Sequence, residues 1–318
     1  MRQLSETPAE TRNDPIGALC ADFAARRPLR AGSVIVTVYG DAIAPRGGEA
    51  WVGSLLPLLD SLGINDSQVR TALSRLAADG WFDRFPVGRR SYYGLSAVGR
   101  RRFEEATRRI YAGPPNGWSG GWHLVVIPGA AGPRRDRLRN ALGWLGFGAL
   151  SPKALIHPNP DGKALASVIG ELPLPERPLV IAGEGVGDSD PASLHRLVQD
   201  CWDLESLAAE YAAFCAHFGP LAETLEAGLR PAPLSALQAR ILLIHDYRRL
   251  VLRDPMLPPD LLPDDWIGRR AYGLASAVYR ALLDPSERWL DAEVENRDGL
   301  LPAPEPSFKQ RFEGLRPT

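Results

Sequence analysis

Two pairs of arginines and the short polar residues around them carry the chemistry worth weighing first. Arg70 and Arg75 fall in the stretch 65–79 (NDSQVRTALSRLAAD), and Arg89 and Arg90 fall at the turn of the stretch 81–95 (WFDRFPVGRRSYYGL). In the first stretch Val69, Leu73 and Leu76 recur at helical spacing and so share one face. Helical geometry then turns Ser67, Gln68, Arg70, Thr71, Ser74 and Arg75 away from that face. Hydroxyls and an amide interleaved with guanidinium groups are the donors that read base edges in a major groove and hold the flanking phosphates. In the second stretch, two adjacent cations at the tip of a thin ribbon suit phosphate, or the narrow minor groove that arginine favours. Tyr92 and Tyr93 alternate across that ribbon; one is expected to pack inward, and Tyr92 is assigned as a phosphate donor. Arg30 adds a further backbone contact. An arginine-bearing helix or a Gly-Arg-Arg turn is, taken singly, common on any solvated surface. The two together point to double-stranded DNA.

The elements that must position these residues are legible. Asn65 can cap the helix 65–79, with Gln68 three residues on completing a capping box, and Gly80 stops it. A short helix at 53–62 and a turn at Leu62–Gly63–Ile64 precede it, which makes a helix-turn-helix. The alternating stretch 81–95 reads as a β-hairpin, and 96–111 as a helix with an arginine-coated outer face. Residues 33–44 (SVIVTVYGDAIA) are ambiguous: their β-branched run has strand propensity, while the spacing of Val34, Val38 and Ile43 also suits a helix.

The charge distribution agrees with a polyanion partner. The chain of 318 residues has a net charge of only -1, yet residues 26–111 hold fourteen arginines, no lysine and eight acids, leaving that segment at +6 and the rest at -7. A basic module on an acidic body is what phosphate binding requires. The length predicts two or three domains. With 45% hydrophobic and 24% charged residues, the composition is that of a soluble globular protein. We see no apolar run of the ~20 residues that cross a bilayer, and no apolar core of a signal peptide in residues 1–15. Cys20, Cys201 and Cys215 share no metal spacing and fit a reducing, cytoplasmic location.

Proline- and glycine-rich stretches at 112–121 (AGPPNGWSGG) and, more weakly, 183–191 divide the chain. Between them, strands at 122–128, 147–150, 154–157 and 179–183 and helices at 134–145 and 163–169 follow the β, α, β, β, α, β order of a ferredoxin-like domain. The remainder reads as helices at 202–218, 235–253 and 266–283, the last approached through four prolines in 254–265. The expected fold is α+β and multidomain: an arm at 1–32, a winged helix-turn-helix at 33–112, a ferredoxin-like domain at 118–200 and an all-α domain at 201–318. No catalytic residue stands out. Gly183-Glu-Gly-Val-Gly lacks the spacing and the lysine of a phosphate loop, and no nucleophile-elbow motif frames Ser189 or His195.

Several strings resemble one family. They are residues 28–30 (PLR), 34–41 (VIVTVYGD), 46–55 (RGGEAWVGSL), 63–65 (GIN), 69–76 (VRTALSRL), 80–81 (GW) and 88–93 (GRRSYY), then 245–248 (HDYR), 252–255 (LRDP), 261–263 (LLP), 265–266 (DW) and Gly268. In these the chain resembles the PaaX family, repressors of phenylacetic acid degradation; residues 1–25 and the tail after Glu295 are unmatched. The resemblance implies a helix at 33–44, a middle domain similar to Cas2 nucleases, a homodimer, repression of catabolic genes, and phenylacetyl-CoA or a related thioester as effector. Such nucleases carry an acidic metal ligand at the end of the first strand, where this chain has Pro128–Gly129, so no metal, no cofactor and no enzyme activity are expected.

An acyl-CoA needs an apolar slot, cations for its phosphates and a surface for adenine. Tyr211, His245, Tyr247, Arg248, Arg249, Arg253 and Arg270 are the candidates, with His245 readable equally as a packed core residue. The mechanism expected is a homodimer on a pseudo-palindromic operator. Gln68, Thr71, Ser74 and Arg75 would touch bases, and Arg30, Arg70, Arg89 and Arg90 the backbone. The alternatives are a Cas2-like metal-dependent nuclease and a winged helix that contacts protein.

Overall fold

The computed structural model describes residues 14–315 apart from 116, 130, 172–175 and 185–189. In chain order its elements are α1 (Pro15–Ala25), α2 (Ala31–Val38), β1 (Glu49–Trp51), α3 (Val52–Ser61), α4 (Asp66–Ala78), β2 (Phe82–Val87), β3 (Arg90–Leu95) and α5 (Ala97–Ile110). There follow β4 (Gly121–Val126), α6 (Pro133–Trp144), β5 (Gly148–Ser151), β6 (Ala154–His157), α7 (Gly162–Glu171), β7 (Leu179–Glu184) and α8 (Pro191–Cys201). The last are α9 (Leu204–Glu226), α10 (Pro233–Val251), α11 (Ile267–Glu293), β8 (Glu295–Asn296) and β9 (Gly299–Leu300), with a 3-10 turn at Pro306–Glu313. Two compact units form, one from residues 1–112, 216–247 and 273–318, the other from 113–215 and 248–272.

In the first unit, the β-branched run after Arg30 is a helix, as the family resemblance implied and strand propensity did not. Val34, Ile35 and Val38 are all buried, and burial of a whole apolar face outweighs the few tenths of a kcal/mol per residue by which propensity opposes it. The helix widens at Tyr39–Ile43 and tightens at Ala44–Arg46. β1 pairs with β3, and β3 with β2, in an antiparallel sheet ordered β1-β3-β2. The Tyr39 hydroxyl donates to the Tyr93 carbonyl at 3.1 Å, fastening α2 to the sheet. Gly40 lets the Phe103 ring of α5 approach, since a Cβ there would lie 2.9 Å from it. Part of the expected N-terminal arm is α1, capped by Asp14; its Phe23 packs edge-on against His245 at 5.5 Å, and Arg26, just past its last residue, pairs with Asp246 at 2.8 Å.

The centre of this unit is charged. The buried Asp41 carboxylate meets Arg240 Nε at 2.7 Å and Arg311 at 3.0 Å, and accepts hydroxyls from Tyr111 at 2.6 Å and Tyr279 at 2.9 Å. Arg240 also pairs with Glu287 at 2.5 Å, and the buried Arg46 reaches both Glu287 and Asp291. Burial opposes ionisation of Glu287, but Arg240 and Arg46 outweigh it and hold its carboxyl below the ordinary value. Burying a charge costs several kcal/mol unless it is paired and hydrogen-bonded, and here the charges are paired.

In the second unit, a four-stranded sheet ordered β5-β6-β4-β7 is antiparallel throughout. Leu138 and Leu142 of α6 and Leu165 of α7 close a core with Val125, Ile127, Phe147 and Leu155. Trp202 lies against β5, its indole N–H donating to the Gly146 carbonyl at 2.8 Å. Gly148 is required there, because a Cβ would sit 2.5 Å from that ring. The Tyr211 hydroxyl donates to Asp254 at 2.7 Å, and its ring meets Trp266 edge-on at 6.1 Å.

Candidate nucleic-acid interface

The capping box expected at the start of α4 is present: Asn65 Oδ1 accepts from the Gln68 amide, and Gln68 Oε1 from the Asn65 amide, each at 3.0 Å. Val69 and Leu73 are buried on one face, and α4 packs on α2, α3 and β2. Ser67, Gln68, Arg70, Thr71, Ser74 and Arg75 are all exposed on the rest of the helix. Two of the six are engaged. Gln68 gives its oxygen to the cap and keeps its amide N–H groups for a partner, and Arg70 Nε lies 2.7 Å from Asp66 one turn earlier. An exposed pair of this kind contributes about 0–1 kcal/mol, so a phosphate can displace Asp66 at small cost.

The hairpin β2–β3 pairs Val87 with Arg90, which leaves a two-residue turn, Gly88–Arg89. Gly88 takes φ 56°, a left-handed value that such turns demand and that glycine meets without strain. Arg89 is exposed at the tip, and among the described residues neither Arg89 nor Arg75 makes an ion pair. Arg90 is more constrained. Its guanidinium lies over the Trp51 ring at 4.1 Å and bonds Glu295 at 2.5 Å. The Tyr92 hydroxyl and Glu295 both favour its charge. Arg297 pairs with Glu49 at 2.8 Å and covers Phe85 at 4.0 Å, so that β8 and β9 are fastened onto the same sheet. Arg30, at the start of α2, is exposed.

Tyr92 departs from expectation. Both Tyr92 and Tyr93 are 5% exposed, because β1 and β2 flank β3 and make it the central strand. Tyr92 therefore supports Arg90 and does not stand out from the ribbon toward phosphate. Sequence reasoning missed β1, only three residues long, and so read the ribbon as having two open sides.

The candidate effector residues fall in both units. Tyr211, Arg248, Arg249, Arg253 and Arg270 belong to the second, and His245 and Tyr247 to the first. His245 is buried, its Nδ1 3.0 Å from the Thr37 hydroxyl, and Tyr247 is buried beside Phe312. Tyr211 is likewise buried on Asp254. These three side chains pack in cores. Arg253 forms an exposed pair with Glu210, Arg248 is half-buried, and Arg249 and Arg270 are exposed. Ser189 and much of the loop at 183–187 lie outside the described residues. The three cysteines are free, and burial pushes the Cys20 thiol up to about 11. Among the described residues no group of His, Cys, Asp or Glu could hold a metal ion, and no helix is long and apolar enough to cross a membrane.

Family models match three successive segments of the chain. Residues 30–99 match a PaaX-like protein model, 115–195 the PaaX central Cas2-like domain, and 202–292 the PaaX-like C-terminal domain. The chain is 36% identical over 289 residues to the transcriptional repressor PaaX of Escherichia coli K12, covering 91% of this chain and 92% of that one. It also matches the structure of the uncharacterized protein Rv0674 from Mycobacterium tuberculosis, with a TM-score of 0.52, 21% identity, and coverage of 81% and 97% of the two chains; this likeness concerns the fold alone. The chain belongs to the PaaX family.

Proposed function

We propose that this protein is a DNA-binding transcriptional repressor, a regulator and not an enzyme, whose DNA-reading module is a winged helix-turn-helix at residues 33–112. The observation that carries the reading is the face of α4: hydroxyls, an amide and arginines, all exposed, on a capped helix anchored by Val69 and Leu73. α3 and α4 supply the helix-turn-helix, and β2–β3, tipped by Arg89, the wing. Thr71, Ser74, Arg75 and the Gln68 amide read bases, while Arg30, Arg70, Arg89 and Arg90 hold the backbone. Family membership and the identity to a named repressor support the same reading. The strand order β5-β6-β4-β7, antiparallel throughout, supports a ferredoxin-like middle domain related to Cas2 in fold.

The protein acts as a homodimer on two half-sites. An aryl-acetyl-CoA thioester of the phenylacetate type releases it, by favouring a dimer geometry that no longer matches the half-site spacing. The exposed Arg249 and Arg270 suit the phosphates of such an effector. The test is fluorescence anisotropy with DNA from upstream of the protein's own gene, at several salt concentrations, with and without a panel of aryl-acetyl-CoA thioesters. Sequence-selective binding that weakens with salt, and release by one thioester, is the expected outcome. Equal, weak binding to every DNA sequence would overturn the repressor; retention of DNA under every thioester would overturn the effector class.

A further inference from the structure

The second unit contains a cavity of about 880 Å³ between α8, the start of α9 and the segment leading into α11. Its apolar floor includes Val198 and the indoles of Trp202 and Trp266, and its rim carries Asp203, Glu205 and Asp265. No lysine or arginine is among the described residues that line it. The size falls within the ~300–1,000 Å³ of small-molecule sites.

Both indoles are held in place. Trp202 is tied through its N–H to the Gly146 carbonyl at 2.8 Å. Trp266 is buried, with Tyr211 edge-on at 6.1 Å and Gly268 so close that a Cβ would come within 2.4 Å of the indole nitrogen. Fixed aromatic faces attract a cation through their quadrupoles, and most strongly when the ring is an indole.

The charge balance selects the sign of the ligand. α9 and α11 begin beside the cavity, at Leu204 and Ile267, and each helix start brings roughly half a positive charge. Asp203 answers the first of these: it accepts the Ser206 amide at 3.0 Å, which holds its carboxyl below the ordinary range. Glu205 and Asp265 are exposed, and among the described residues neither has an ion-pair partner. Three carboxylates against about one positive charge from two helix ends leave the rim at roughly -2, and a protonated His195, which also lines the cavity, would still leave it negative at roughly -1.

We propose that this cavity binds an organic cation, an ammonium group carried on an aromatic or aliphatic body, with the body between the indoles and the ammonium at Glu205 and Asp265. A CoA thioester, with several negative charges of its own, does not suit this rim, so the site is additional to the effector described above and does not rest on the DNA-binding reading.

Three molecules of one shape and different charge test it: tryptamine, tryptophol and indole-3-acetate, each titrated calorimetrically into the full-length protein at pH 7 and low salt, without DNA. Tryptamine should bind roughly tenfold tighter than tryptophol, and indole-3-acetate more weakly than either, since a cation–π contact with a nearby carboxylate contributes about that factor. The double variant Glu205→Gln, Asp265→Asn, at two exposed positions, should erase the advantage of tryptamine and leave tryptophol binding intact. Equal affinity for the three, tightest binding of indole-3-acetate, or no binding of tryptamine at millimolar concentration would each overturn the proposal.

Discussion

Arg240 and Arg311 in the interior of the first unit, and Arg75 and Arg89 on its surface, are the same side chain in opposite situations. The interior pair share Asp41, bonded at 2.7 Å and 3.0 Å, and donate to backbone carbonyls as well. The surface pair are exposed and have no carboxylate opposite them among the described residues. An arginine with an internal acid holds the fold together, and one without is available to a polyanion. Composition alone merges the two classes. Of the fourteen arginines at 26–111 that make that segment basic, Arg26 is matched by Asp246, and Arg46 by Glu287 and Asp291. Those acids lie far along the sequence, in the part that counts as the acidic body.

The largest effect should come from breaking the interior side of this contrast. Asp41→Asn preserves shape and removes the charge that Arg240 and Arg311 both need. Removing one partner of a buried ionic cluster costs about 3–5 kcal/mol, measured as a fall in the urea midpoint at unchanged slope. Arg89→Ala should stay within about 0.5 kcal/mol of the parent, as surface substitutions do. If the two variants were equally stable, the distinction between structural and available arginines would fail.

The same cluster sets an acid limb. Because Arg240 and Arg46 overcome the effect of burial on Glu287, its carboxyl titrates below its ordinary 4.5 in the folded state. A carboxyl lowered on folding stabilises above its unfolded pKa, and that contribution vanishes as pH falls through the folded value. Glu287→Gln should therefore lie well below the parent in unfolding free energy at pH 7 and converge toward it below pH 4.5. A constant gap across that range would mean that shape, and not ionisation, is what Glu287 contributes.

On the DNA side the expected effects are smaller and differ in kind. Arg89→Ala should weaken every DNA sequence alike and reduce the slope of log affinity against log salt by about one. Thr71→Val and Arg75→Ala should cost about 1–3 kcal/mol, confined to one operator position each. The two patterns are told apart by competition with single-base operator variants at several salt concentrations. Loss of selectivity from Arg89→Ala would move that residue from the backbone to the bases.

How far the sequence foresaw this site follows from the range of the interactions involved. α4 was readable because its signals are local: a cap, an apolar stripe and a terminating glycine lie within sixteen residues of one another. The hairpin turn was readable for the same reason. The helix at Val34–Val38 was not, since its β-branched residues are helical only through burial that the rest of the unit provides, and only the family resemblance supplied it. The Asp41 cluster was invisible: its members are 41, 46, 111, 240, 279, 287 and 311, and no spacing along the chain announces them. Tyr92 was misassigned because β1, three residues long, carries too little pattern to be recognised as a strand. The carboxylate that meets Arg90 is Glu295, 205 residues away, in a short strand within the stretch expected to be all-α.

That last contact lies between the two classes, and its variant is the finest probe of the comparison. Arg90 is half-exposed, stacked on Trp51, and bonded to a carboxylate that is itself 36% exposed. If Arg90 serves the backbone of DNA, Glu295 competes with the incoming phosphate, and Trp51 and Tyr92 keep the guanidinium aimed once the carboxylate gives way. Glu295→Gln retains a hydrogen-bond acceptor and removes the competing charge. It should tighten binding to all DNA sequences by about two- to threefold at low salt, with the gain fading as salt rises. Arg90→Ala in the same background should cancel the gain, which would assign it to this pair and not to a general change in charge. Weaker binding by Glu295→Gln would mean the reverse: that Glu295 holds Arg90 in the orientation DNA needs, and that an arginine can be bound to an internal acid and still face outward to its partner.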